Sequence, residues 1–303
     1  RTDIETNIGG YYDIVLPGLL DENPGAAAAY SLRRLSSTYT GSAIQVQRAD
    51  NVGGTTDIGF DSYGDLDTAA LTTAAAGNSM VVTTWFDQSG SGNNATQPSS
   101  LLRPKIYDSA DGVVTENGKP AVEFDGTSDF LQKASPAGFS GKSQSSFNIV
   151  TNETLTNIDA RFFYSLGDVT LSAGQLRSVT QEPYLRFQAT VQDYNSYHTS
   201  GNQELYSLVC PSATTINDYD LYRDGSLLTP DSLNGGTVAD INASFLTIGF
   251  LQGAATANNF KGKQQELILY NANKSANRPS IEDNVGDYYG IEIAGLLDQY
   301  SGA

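Results

Sequence analysis

Short runs in which apolar and polar residues alternate recur along most of the chain, a period of two that fits half-buried strands. Such runs are 43–48 (AIQVQR), 80–86, 120–124, 129–132, 146–151 (FNIVT), 161–166, 184–190, 204–210, 218–223, 245–250 and 264–270 (QQELILY). Arg223-Asp224-Gly225-Ser226 sets an Asp-Gly pair between two of them, a hairpin signal. Helical spacing is confined to a few places. Residues 24–37 (PGAAAAYSLRRLSS) predict a helix from Ala-rich propensity, and 67–76 a second, with Asp67 as N-cap and Gly77 as stop. Near the C-terminus Ile281, Val285, Tyr288 and Tyr289 fall on one helical face, with Pro279 suited to the first turn and Gly290 to the stop. Many short strands without βαβ alternation predict an all-β, two-sheet sandwich with a few short helices, including that C-terminal amphipathic one.

The two ends of the chain match each other. Residues 1–26 and 278–303 align without gaps at a constant offset of 277, with 14 identities in 26. Self-similarity at a fixed spacing points to repetition. The expected organisation is therefore the end of a preceding repeat over 1–17, one module over 18–294, and the start of the next repeat over 295–303. Arg1 is not an initiator, so the chain reads as a processed or excised piece. Local duplication of two terminal helices is the alternative.

Of the 303 residues 39% are hydrophobic, enough for a real core, while only 17% are charged. That leaves a surface of Ser, Thr, Asn, Gln and Gly, as in extracellular β-proteins. The net charge of −17 disfavours nucleic acid and anionic membrane surfaces. Solubility accounts for the acidity better than cation binding does, since no dense acidic cluster appears in the sequence. The single cysteine, Cys210, excludes an internal disulfide and reads as a small buried hydrophobe. No run of 18 apolar residues exists, so no membrane insertion is expected.

Three stretches carry a family resemblance. They are Gly25–Leu35 with Thr40–Ile44 and Asp57–Phe60; Thr83-Thr84-Trp85-Phe86-Asp87-Gln88-Ser89-Gly90 through Ala95, then Arg103–Ile106; and Asn117-Gly118-Lys119-Pro120 through Asp129. Together they resemble the catalytic-type module of α-L-arabinofuranosidase B, a concanavalin A-like jelly roll. They also resemble laminin-G-like modules of phage virion and bacterial surface proteins. The motif-bearing part covers 20–132. The resemblance implies a concanavalin A-like jelly roll and, on the arabinofuranosidase side, glycoside hydrolysis. That module carries adjacent cysteines near its substrate pocket, which a chain with one cysteine lacks. Its nucleophile and acid find no matching position here.

Glycoside hydrolysis uses two carboxyl groups flanking the scissile bond. Glu123-Phe124-Asp125 offers half of a Glu-x-Asp-x-Glu strand pattern, but Thr stands at 127. The only histidine, His198, lies in a polar segment without a nucleophile elbow or further metal ligands. Candidate ligand residues are Tyr194, Tyr197 and Tyr206, whose rings could stack on sugars amid Asn, Ser and Gln, together with Asp87 and Gln88 of the Gly-rich loop. Core packing and turn bonding are the competing roles. Asp125 and Asp129 could supply oxygens to Ca²⁺, or close an Asx turn; no other cofactor is expected.

The sum predicts a non-catalytic structural or glycan-binding module of a tandem-repeat extracellular fibre, adhesin or phage virion appendage. Its partners would be neighbouring copies of the same module and a cell-surface glycan. The alternatives are the subunit of a homopolymeric extracellular filament and an arabinofuranosidase-like hydrolase.

Overall fold

In the computed structural model most of the alternating runs form antiparallel strands. The structure describes residues 17–141, 144–152, 161–167, 173–179, 182–187, 190–194, 201–210, 215–234, 236–237, 243–251 and 259–295. Residues 1–16 and 296–303, which hold almost all of the two expected neighbouring repeats, lie outside the described residues.

Two layers are stacked. In the first, Lys261–Tyr270 pairs on one side with Ser145–Asn152, which continues through Gln203–Val209 and Asp220–Arg223 to Ser226–Leu227. Its other side is shared: Ala28–Ser31 takes the half from Leu269 to Glu266, and Val122–Asp125 the half from Gln264 to Lys261. The second layer runs Leu131–Ala134, Phe245–Ile248, Arg161–Leu166, Ala173–Val179, Glu182–Phe187, Thr190–Asp193 and Ser232–Asn234. Met80–Trp85 belongs to both layers. Its start pairs with Lys105–Asp108 and its end with Ala95–Thr96, which leads on to Leu131–Ala134. One long side of the sandwich is thereby closed and loses its free edges.

The main core fills the space between the layers and contains Tyr30, Trp85, Phe124, Tyr164, Tyr206, Leu267 and Leu269. A second cluster lies on the outer face of the first layer. There Phe147, Ile149, Leu205 and Ile268 meet Ile281, Val285 and Tyr289 of the helix Arg278–Tyr289, with Leu19 and Leu20 beside them. Lys261–Tyr270 thus buries alternate residues on both faces, as a central strand does. The helix has Pro in its first turn and ends at Gly290 in the left-handed region, φ 72°, as the sequence implies.

A charged cluster fastens this helix. Glu266 is 1% exposed and accepts from Arg33 Nε (2.8 Å), Arg33 Nη2 (3.0 Å), Ser31 Oγ (2.7 Å) and Tyr289 OH (3.3 Å). The Arg33 guanidinium lies 4.5 Å from the Tyr288 ring centre, and Tyr288 OH donates to Asp65 at 2.6 Å. Burial alone would lower the Arg33 pKa, but the Glu266 charge and hydrogen bonds reverse this and raise it.

The helix expected over 67–76 is present as Thr68–Ala75, and Asp67 Oδ1 accepts from Ala70 N at 2.8 Å. The helix expected over 24–37 is not. Ala28–Ser31 is a fully buried strand instead, paired with Leu269 through Glu266. Alanine's helix preference is worth only tenths of a kcal/mol per residue against larger gains from sheet pairing and burial. Small side chains there also let the strand lie beneath neighbouring layers.

Candidate functional site

The Trp85–Asn94 loop is built inward. Trp85 is fully buried at the end of its strand. Asp87 is 5% exposed, and its carboxylate accepts from the backbone N–H of Ala29, Ser89 and Asn93 and from Ser89 Oγ. Gln88, 3% exposed, accepts from Leu35 N and donates to the carbonyls of Ser31 and Arg33. Both side chains hold the loop against the Ala28–Ser31 strand, so the structure gives them this bracing role and no face toward a ligand.

Tyr194 and Tyr206 are also inside. Tyr194 is 1% exposed and donates to Gln192 Oε1 at 2.7 Å; Tyr206 is 0% exposed and donates to Glu204 Oε2 at 2.9 Å. Their rings pack between the layers, away from the surface on which a sugar would stack. Burial raises both phenol pKa values. Tyr197 and His198 lie outside the described residues.

Asp125 and Asp129 close a turn. Asp125 Oδ1 accepts from the backbone N–H of Thr127, Ser128 and Asp129, and Asp129 Oδ2 accepts from Asp125 N. Burial, helped by the Asp125 charge, pushes the Asp129 pKa up to about 7, while the turn's N–H donors lower that of Asp125 against its own burial. Asp125 Oδ1 and Asp129 Oδ2 are thus taken up by backbone N–H groups, the Asx-turn role that the sequence allows for this pair. Among the described residues no three His, Cys, Asp or Glu side chains are grouped to hold a metal ion.

What the pattern of residues did not reveal is a polar cleft at the end of the first layer. It has a volume of about 460 Å³ and is lined chiefly by Glu116, Asn117, Asn202, Gln203, Asp224 and Glu292. Two tight turns build it. Asn117, φ 49°, caps the Thr115–Pro120 hairpin and donates through Nδ2 to the carbonyl of Tyr289 (2.8 Å) and to Gln203 Oε1 (3.3 Å). Asp224 and Gly225, φ 48° and 79°, make the expected hairpin turn, of type I′ by these signs. A Cβ on Gly225 would come within 2.6 Å of Ile293, so the turn sits hard against the segment after the helix. Asp224 Oδ1 accepts from Leu205 N at 2.8 Å. Burial pushes its pKa up to about 6, and the nearby Glu204 charge adds to the rise. Glu116 is ion-paired to Lys263 at 3.0 Å. The cleft thus combines a carboxyl group paired with a lysine, a second carboxyl whose pKa burial raises, and amides suited to hydroxyl groups. Its only sequence traces are the Asn-Gly and Asp-Gly dipeptides.

Comparison with known proteins places this fold in context. Residues 20–154 match the family model described as "Alpha-L-arabinofuranosidase B, catalytic". A probable alpha-L-arabinofuranosidase B of Aspergillus flavus is 41% identical over 107 residues, 32% of this chain and 21% of that enzyme. The alpha-L-arabinofuranosidase of Hypocrea jecorina is 41% identical over 106 residues, with the same shares covered. The match thus spans about a fifth of the length of these curated relatives, 21%. A crystal structure of an arabinofuranosidase with arabinofuranosyl-alpha-1,2-xylobiose superposes with a TM-score of 0.61 at 17% identity, over 86% of this chain and 62% of that one. A GH54 arabinofuranosidase soaked with a cyclic sulfate inhibitor gives 0.60 at 17% identity. These likenesses overturn the expectation of a non-catalytic fibre, adhesin, filament or virion module with copies of itself as partners, because the similar proteins are glycoside hydrolases. The chain is an all-β sandwich, similar over residues 20–154 to an arabinofuranosidase B catalytic module and alike in fold over 86% of its length to arabinofuranosidases of known structure.

Proposed function

We propose that this chain is a glycoside hydrolase module acting outside the cell on arabinofuranosyl linkages of plant-type glycans, built on a concanavalin A-like jelly roll. The observation that carries the reading is the match of residues 20–154 to an arabinofuranosidase catalytic module. The likeness in fold to arabinofuranosidases over 86% of the chain supports it.

Hydrolysis of this kind needs one carboxyl to protonate the departing oxygen and a second to attack the sugar carbon or activate water. The cleft offers both types. Asp224, with a pKa near 6, is protonated in a useful fraction at mildly acidic pH and fits the acid role. Glu116, ion-paired to Lys263 at 3.0 Å, fits the second role. Asn117, Asn202 and Gln203 would bond sugar hydroxyls.

The test is release of 4-nitrophenol from its α-L-arabinofuranoside by the purified chain between pH 4 and 7. Turnover is expected, declining above about pH 6 as the acid loses its proton. Asp224→Asn and Glu116→Gln should each lower it by roughly 10²-fold or more. No release above the enzyme-free blank sinks the hydrolase reading. Full activity in both variants keeps hydrolysis and removes the cleft as its site.

A further inference from the structure

Two amides inside the sandwich, Asn148 and Gln264, carry buried polar atoms without protein partners. Asn148 is 0% exposed, and neither its Oδ1 nor its Nδ2 has a hydrogen-bond partner. Gln264, also 0% exposed, donates through Nε2 to the carbonyl of Phe163 in the opposite layer at 2.8 Å, while its Oε1 has no partner. Both side chains face the space between the layers. Asn148 stands between Tyr206 and Leu267 in register, and Gln264 between Val150 and Val122, all members of the inter-layer core.

A second feature lies at the same place. Ile149 pairs with Glu266 but Val150 pairs with Gln264, so Gln265 is an extra residue in its strand. This β-bulge separates the row bearing Asn148 from the row bearing Gln264. A bulge interrupts the ladder, bends the strand and increases its local twist. Leaving a buried amide unpaired costs the full desolvation of its polar groups, and native folds rarely tolerate several together.

We infer that the bulge holds an internal hydration site, with ordered water bridging Asn148 and Gln264. Water suits the unmet groups: it accepts from Asn148 Nδ2 and donates to Gln264 Oε1, and a second molecule donates to Asn148 Oδ1. Such waters make about three hydrogen bonds each and are integral to folds of this size. The site has a structural consequence toward the cleft. The bulged Gln265 points the other way and donates to the carbonyls of Glu116, Lys119 and Pro120, each at 3.2 Å. Water that keeps the bulge open therefore fixes the hairpin that carries Glu116 and Asn117. The inference stands on these contacts alone and is independent of the hydrolase reading.

A high-resolution crystal structure of the full chain, with water-oxygen relaxation dispersion in solution, tests it. Density peaks about 3 Å from Asn148 Nδ2, Asn148 Oδ1 and Gln264 Oε1 are expected. Asn148→Leu should abolish them and lower the dispersion amplitude from long-lived water. Should that variant fail to fold, Gln264→Met gives the same reading through loss of the bridging molecule. Amides that meet only protein groups in a clear map, or a dispersion amplitude unchanged in a folded variant, overturn the inference.

Discussion

Replacing Glu266 by Gln keeps the size of the side chain and removes its charge. In the folded chain this carboxylate is 1% exposed and takes four donors, two of them from Arg33. Arg33 is itself only 9% exposed. In Glu266→Gln the guanidinium stays charged and desolvated with no anion against it, and one amide hydrogen faces the donors that the carboxylate accepted. Breaking one side of a buried pair costs about 3–5 kcal/mol. At roughly 2–3 °C of Tm per kcal/mol for a domain this large, that is a fall of about 6–15 °C. Calorimetry or thermal circular dichroism reads it directly. The double variant Arg33→Met with Glu266→Leu should recover much of the loss, since no lone charge remains buried. A matched control is Arg48→Ala: its Asp50 partner is 50% exposed, so the change should stay within about 0.5 kcal/mol. A Glu266→Gln Tm within about 2 °C of the parent would refute the view that this pair pins the helix to the sheet.

Other expectations follow from single sites. Asp129, whose pKa lies near 7 when folded against an ordinary 3.8, binds a proton more readily in the folded state. Its contribution therefore declines as pH rises from about 4 to 7, and Asp129→Asn should flatten the Tm profile across that window. Ile281→Ala opens a cavity beneath the C-terminal helix and should cost about 2–5 kcal/mol in urea unfolding. Gly262→Ala places a Cβ 2.1 Å from the Thr151 carbonyl oxygen at φ 143°, and should lower stability by at least about 1–3 kcal/mol or prevent folding, seen in the same assay.

The sheet was legible where strands are half buried on one face. Ile44–Arg48 lies within its alternating run 43–48 and buries Ile44 and Val46 with Gln45 between them less covered, and the Asp-Gly hairpin and the two capped helices stand where their end signals put them. Ala173–Val179, Lys105–Asp108 and Thr190–Asp193 were not found as strands of their own; AGQLRSV, for one, spaces its apolar residues three apart rather than two. The Ala-rich strand was misread because its pairing partner lies more than 230 residues away, as the Ser31–Glu266 bond shows. The candidate site was mostly hidden. Tyr194 has polar neighbours in sequence and Tyr206 follows the polar loop, so both read as surface aromatics, yet both rings pack in the core between the layers. The cleft draws on residues from four separate stretches, between Glu116 and Glu292, and only the fold brings them together.

The strand Lys261–Tyr270 pairs with three others drawn from residues 28–31, 122–125 and 145–152. During synthesis those earlier segments leave the ribosome long before their common neighbour exists. They must wait with open hydrogen-bonding edges while more than 100 further residues are made, at roughly 5–20 residues per second. Assembly of this sheet therefore waits for residues 261–270 and is slow, as distant pairings make it. A nascent chain stalled before residue 261 would be the species most prone to stick to its own kind.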